Sequence, residues 1–118
     1  MANKQVAVFM GDDASPEVMA PTVDLLRGMD LGIDFIEPLV GQIAKEASGT
    51  LFPDEAKAQI DTADATFFGS TSGDSTPVLF YLRWGKQTFA NLRPCVYVPG
   101  FNSPMARPDG IDFAIIRE

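Results

Sequence analysis

With 118 residues, 46% of them hydrophobic and 21% charged, the sequence has the balance of a single folded domain rather than of a disordered tract. A net charge of −7 argues against nucleic acid or an anionic membrane as partner. The lack of histidine removes His-based catalysis, and the single cysteine, Cys95, excludes an internal disulfide and points to a reducing compartment, the cytoplasm. The opening residues, Met-Ala-Asn-Lys-Gln-Val, hold no long apolar run, so neither a signal peptide nor a membrane span is expected.

The apolar run Val6–Met10, ending at Gly11, reads as a buried parallel strand. Asp12-Asp13-Ala14 reads as a turn, and Ser15-Pro16-Glu17 as a helix start, with Ser15 as cap and Pro16 in the first turn. Met19, Val23 and Leu26 recur at helical spacing and are expected to face the sheet; Pro21 is expected to kink this helix or delay its start, and Gly28 to close it. Ile33–Ile36 reads as a second strand. A short helix over Ile43–Ala47 is one reading of the segment between Gly41 and Gly49. Pro53-Asp54-Glu55 opens a further helix with Phe52, Ala56, Ile60 and Ala63 on one face, and Ala65–Gly69 reads as a third buried strand. Strand, helix, strand, helix, strand predicts an α/β domain with a parallel sheet. The polar loop 70–76 then lies at the carboxyl end of a strand, where open α/β sheets bind ligands. Pro77 starts a helix carrying Val78, Leu79, Phe80, Leu82 and Arg83; residues 89–97 read as extended, and 111–116 as a last strand.

From Ser75 to Pro108 there is no Asp or Glu, and Arg83, Lys86 and Arg93 fall within this stretch. Guanidinium forks on defined backbone elements suit a small anion with planar oxygens. The same three residues also read as ordinary solvated cations.

Taken in order, Gly11-Asp12 with Pro16-Glu17-Val18-Met19, Asp64-Ala65 with Phe68-Gly69, Leu82-Arg83 followed by Phe89-Ala90-Asn91-Leu92-Arg93-Pro94, and Ile111-Asp112-Phe113 to Arg117 resemble the β-decarboxylating dehydrogenases, the isopropylmalate/isocitrate/tartrate dehydrogenase family. The resemblance runs along the whole chain and corresponds to the first third of a family member. It implies a partial three-layer isopropylmalate dehydrogenase-like fold: the parallel βαβαβ portion plus the first strands of the second domain, with residues 1–118 as the N-terminal part of one such domain. It implies that Arg83, Arg93 and Arg117 hold the carboxylates of a 2-hydroxy dicarboxylate. Leu79 and Phe80, three to four residues before Arg83, would read the substrate's side group. Isocitrate-type members place polar residues in this stretch, so Pro77 and Leu79 imply an apolar, isopropylmalate-like substituent.

The resemblance further implies NAD and Mg²⁺ or Mn²⁺ as cofactors, with Gly11, Asp12, Ser70 and Thr71 near the NAD. It assigns no catalytic residue and no metal ligand to this chain, because the family's Tyr, Lys and Asp elements lie downstream. A homo-oligomer or a complementary subunit is the implied partner, and the 118-residue chain alone is expected to be inactive. In the family's first loop, Gly-Asp-Gly-Ile-Gly-Pro-Glu, two glycines are replaced here by Asp13 and Ser15, so the positive φ and close approach that glycine permits are expected to be lost. Two function classes follow. One is a part or subunit of an NAD-dependent oxidative decarboxylase. The other is a non-catalytic carboxylate-binding or regulatory subunit, or a truncated fragment without activity.

Overall fold

The computed structural model describes residues 3–117 and divides after Tyr81 into two units. In the first, β1 (Lys4–Phe9) lies between β2 (Ile33–Ile36) and β3 (Ala65–Phe68), parallel to both. The central place of β1 explains the apolar run Val6–Phe9 that follows Lys4 and Gln5: both faces are covered there, and Ala7, Val8 and Phe9 are at most 2% exposed. On one face Val6 stands opposite Phe35, and Val8 opposite Phe67. Helix α1 (Ser15–Gly28) packs Met19 and Val23 onto this face, forming a cluster with Val8. On the other face the rings of Phe9 and Phe68 lie 5.9 Å apart. Helices α2 (Gly41–Ser48) and α3 (Asp54–Thr62) connect β2 to β3, and α3 buries Ala56 and Ile60, with Phe52 buried just ahead of it. The α/β alternation and parallel sheet are those expected from the sequence. Ala65, at the start of β3, is exposed, so this edge strand is less buried than its composition suggested.

Three local expectations are corrected. Helix α1 is continuous through Pro21. The carbonyl that loses its partner there, four residues back, belongs to exposed Glu17, where solvent can satisfy it. Ser15 is the first helical residue rather than the cap, is buried, and turns its hydroxyl to another strand end. Helix α2 begins at Gly41, two residues earlier than read, and closes on Gly49, whose φ of +80° lets its N–H reach the Lys45 carbonyl at 2.8 Å.

Helix α4 (Thr76–Phe80) gives way to a π-helical turn over Tyr81–Gly85. The α-helical spacing that would set Leu79 and Phe80 on the face of Arg83 therefore ends at Phe80. The second unit is an antiparallel ribbon of β4 (Asn91–Val96) and β5 (Asp112–Arg117). Pro94 is tolerated in β4 by register. Tyr97 donates to Ile111, so positions 95, 93 and 91 form the hydrogen-bonded pairs, and the missing N–H of Pro94 falls on the outward side.

Candidate carboxylate-binding site

The ribbon register builds the site. Asn91 pairs with Arg117, and Arg93 with Ile115, so Asn91, Arg93 and Arg117 share one face, with the two arginines on a cross-strand diagonal. Arg83 comes to the same place from the π-helical turn. Its approach is fixed by Thr88, whose hydroxyl donates to the carbonyls of Leu82 at 3.1 Å and Arg83 at 3.3 Å. Arg83, Arg93 and Arg117, together with Asn91, Trp84 and Phe89, line one cavity of about 280 Å³. Arg93 Nε donates to Asn91 Oδ1 at 3.1 Å, which orients its fork. Among the described residues none of the three arginines enters an ion pair, whereas Lys4, Arg27 and Lys57 each do. Three guanidinium groups around one small space repel one another and favour an anionic guest; two carboxylates with four oxygens can engage two forks bidentately. The sequence signal for this was the acid-free stretch and the ten-residue spacing of Arg83 and Arg93. Trp84 and Asn91 were not read as site residues, although the period-two spacing of Asn91 and Arg93 was available.

The residues expected near NAD cluster within the first unit, where β1 and β3 end. Asp12 N–H donates to the Ser70 carbonyl at 2.9 Å, and Ser70 N–H to Ser15 Oγ at 3.0 Å. The backbones are so close that a Cβ on Gly11 would overlap the Ser70 carbonyl oxygen, and one on Gly69 would overlap Ser15 Oγ. The Asp12 carboxylate accepts from the hydroxyls of Thr71 and Ser75 and from the N–H groups of Ser72, Gly73 and Ser75, at 2.7–3.3 Å. Burial raises its pKa, but the Ser75 hydroxyl, the Gly73 and Ser72 N–H groups and the Thr71 hydroxyl together outweigh that and hold it down to about 2. Asp13 has a positive φ of +54°, and its carboxylate accepts from the Ser72 hydroxyl, which corrects the expectation that positive φ is lost here. Aspartate is among the residues that tolerate this region. Ser15 does not need it, because it is helical.

This cluster is a clamp on loop 70–75. Its backbone donors at Ser72, Gly73 and Ser75 are already engaged by Asp12, so they form no open cradle for a cofactor's phosphates. Leu79 is half-buried and Phe80 is 46% exposed, both on α4. Among the described residues no three His, Cys, Asp or Glu groups converge as metal ligands, and no helix is long and apolar enough to cross a membrane.

A parallel α/β unit with interlocked strand ends, followed by a π-helical turn and a ribbon whose Arg83, Arg93 and Arg117 line one cavity, defines an α/β protein with a cluster of guanidinium forks. The chain belongs to the isocitrate/isopropylmalate dehydrogenase family, whose model, described as "Isocitrate/isopropylmalate dehydrogenase", matches residues 5–118. It is 36% identical over 118 residues to a 3-isopropylmalate dehydrogenase of Methanothermobacter thermautotrophicus, an alignment covering all of this chain and 35% of that protein. It is 34% identical over 133 residues to the 3-isopropylmalate dehydrogenase of Hahella chejuensis, covering 98% of this chain and 37% of the relative. In fold it is similar to a β-decarboxylating dehydrogenase from Thermococcus kodakarensis in its apo form, with a TM-score of 0.69 and 24% identity over 97% of this chain and 33% of that one. The fold is thus a part of the isocitrate/isopropylmalate dehydrogenase fold, and the chain spans about a third of the length of the curated relatives it matches.

Proposed function

We propose that this chain supplies the carboxylate-holding part of an NAD-dependent oxidative decarboxylase that acts in the cytoplasm on a 2-hydroxy dicarboxylate with an apolar, isopropylmalate-like side group. The observation that carries this reading is the meeting of Arg83, Arg93 and Arg117 in one cavity. Removing a hydride from the carbon bearing the hydroxyl requires that carbon to be held in one orientation, and two fixed charge-assisted pairs do this for a diacid. Arg93, steadied by Asn91, and Arg117 beside it would take one carboxylate, and Arg83 the other. The preference for an apolar side group rests on the family resemblance, in which Pro77 and Leu79 stand where isocitrate-type members carry polar residues.

The NAD and the Mg²⁺ or Mn²⁺ of the family do not fit the described residues alone, since loop 70–75 has its donors engaged by Asp12 and no ligand set converges. In this reading the remainder of a longer protein, a second copy or a complementary subunit supplies them, with residues 1–118 serving as the N-terminal part of the complete domain. The second reading, a carboxylate-binding or regulatory subunit, draws support from Asp13, which puts an exposed carboxylate where family members carry glycine.

The experiment uses Trp84, the only tryptophan in the chain, which lines the cavity. Titration with malate, isopropylmalate and isocitrate should change its emission saturably, with isopropylmalate favoured over isocitrate. Arg93→Ala and Arg117→Ala should abolish the response, and Leu79→Asn should shift preference toward isocitrate. Failure of all three ligands to bind, or binding unchanged in the arginine variants, would overturn the reading.

A further inference from the structure

Two of the three arginines are held by strand pairing. Arg93 and Arg117 sit on β4 and β5, whose register fixes their spacing, and Asn91 further orients Arg93. Arg83 has no such support. It stands in the π-helical turn, outside the ribbon, although it lines the same cavity. Its distance from the other two therefore depends on the segment 84–90 that leads into β4. That segment turns sharply. Gln87 has a φ of +52°, unfavourable for a residue that has a β-carbon and lacks the short polar side chain with which Asp or Asn adopts this region. Such a turn reopens unless it is tied. The Gln87 N–H reaches the Trp84 carbonyl at a long 3.3 Å, and the Thr88 hydroxyl reaches back to the carbonyls of Leu82 and of Arg83 itself. A hydroxyl has one proton. Here it is shared between two backbone carbonyls, so Thr88 has none to offer an anion, although it lines the cavity.

We infer that Thr88 is a positioning residue: by tying the entry of the ribbon to the backbone of Arg83, it sets the span between Arg83 and the Arg93–Arg117 pair, and with it the preference of this site for a diacid over a monoacid of the same length. The inference rests on the carboxylate-binding reading above and adds the residue behind its two-ended selectivity. A monoacid needs only the pair that the ribbon holds. A diacid also needs Arg83 at a fixed distance, and an Arg83 that had to be ordered on binding would give up affinity.

Calorimetry on the 118-residue chain with succinate and succinamate, which differ in the exchange of one carboxylate for a carboxamide, tests this. Succinate should bind more tightly than succinamate. Thr88→Val should reduce that ratio about two- to fivefold while changing succinamate affinity by less than about twofold, since a single exposed donor is removed. Thr88→Ala, which removes the hydroxyl without adding a methyl, should give the same loss, and Thr88→Ser, which keeps the hydroxyl, should restore the ratio. In an Arg83→Ala background Thr88→Val should have no further effect, because Thr88 acts through Arg83. A ratio near one in the unmodified chain, a ratio that survives both Thr88→Val and Thr88→Ala, equal weakening of both acids, or an effect that persists without Arg83 overturns the inference and leaves the arginine site standing. Absence of binding by both acids overturns the two together.

Discussion

Replacing Asp12 by Ala should loosen the first unit through loop 70–75. Five donors converge on this carboxylate, but they do not contribute equally. Ser72 and Gly73 are exposed, so water replaces their lost bonds at small cost. The Ser75 hydroxyl already reaches Thr71 Oγ1 at 2.6 Å and can turn to it fully. The Ser75 N–H has no such alternative: the residue is 4% exposed, and this donor would be stranded. One orphaned buried donor costs about 1–3 kcal/mol, and the weakened exposed bonds bring the total to about 2–3 kcal/mol. For a chain of this size that lowers the melting temperature by about 10 °C or more. Asp12→Asn, which keeps one acceptor oxygen, should lose roughly half as much.

The effect has a definite pH dependence. The folded-state pKa of Asp12 is depressed from 3.8 to about 2, so its contribution is present above the unfolded value and lost as pH falls through the folded one. The stability gap between the unmodified chain and Asp12→Ala should therefore be constant near neutrality, shrink below about pH 4 and level off near about pH 2 at the smaller contribution of a protonated carboxyl, which keeps one acceptor oxygen. Thermal melts followed by far-UV circular dichroism across this range provide the assay. A melting shift under about 3 °C at neutral pH, or a gap that does not narrow on acidification, would refute the clamp.

Gly11→Ala and Gly69→Ala should each destabilise by about 3 kcal/mol or more, because the added methyl meets backbone or Ser15 rather than a yielding side chain; denaturant midpoints would measure it. At Asp13, which has positive φ, Val should cost about 1–2 kcal/mol while Gly is neutral within about 0.5 kcal/mol, a contrast that chemical denaturation resolves. The ribbon exposes Leu92, Val96, Phe113 and Ile116, each by more than half of its surface, so the isolated chain should self-associate in a concentration-dependent way. Ile116→Lys should reduce that association in analytical ultracentrifugation, and unchanged sedimentation would count against the ribbon as its seat.

The parts of this protein that depend on short-range pattern were legible in the sequence. The run Val6–Met10 could only be a covered strand, and the spacing of Met19 and Val23 could only put one helical face on it, because burial periodicity is local to each element. The arginines were legible as a group of like charges at family spacing. Their meeting in one cavity was not, since it depends on the pairing of Asn91 with Arg117, and a one-residue slip in that register would turn Arg117 to the opposite face. Likewise Ser15, a cap by local rule, was drawn to Ser70 across 55 residues, and Asp12 took its donors from 59 to 63 residues away. Asp13 holds a positive φ because Ser72 gives its carboxylate a partner there. The widened turn over Tyr81–Gly85, which ends the α-helical register before Arg83, has no periodic signature at all. Secondary structure follows from preferences that neighbours in sequence settle among themselves; the site follows from hydrogen bonds and strand register between distant segments, which exist only once the chain has closed on itself.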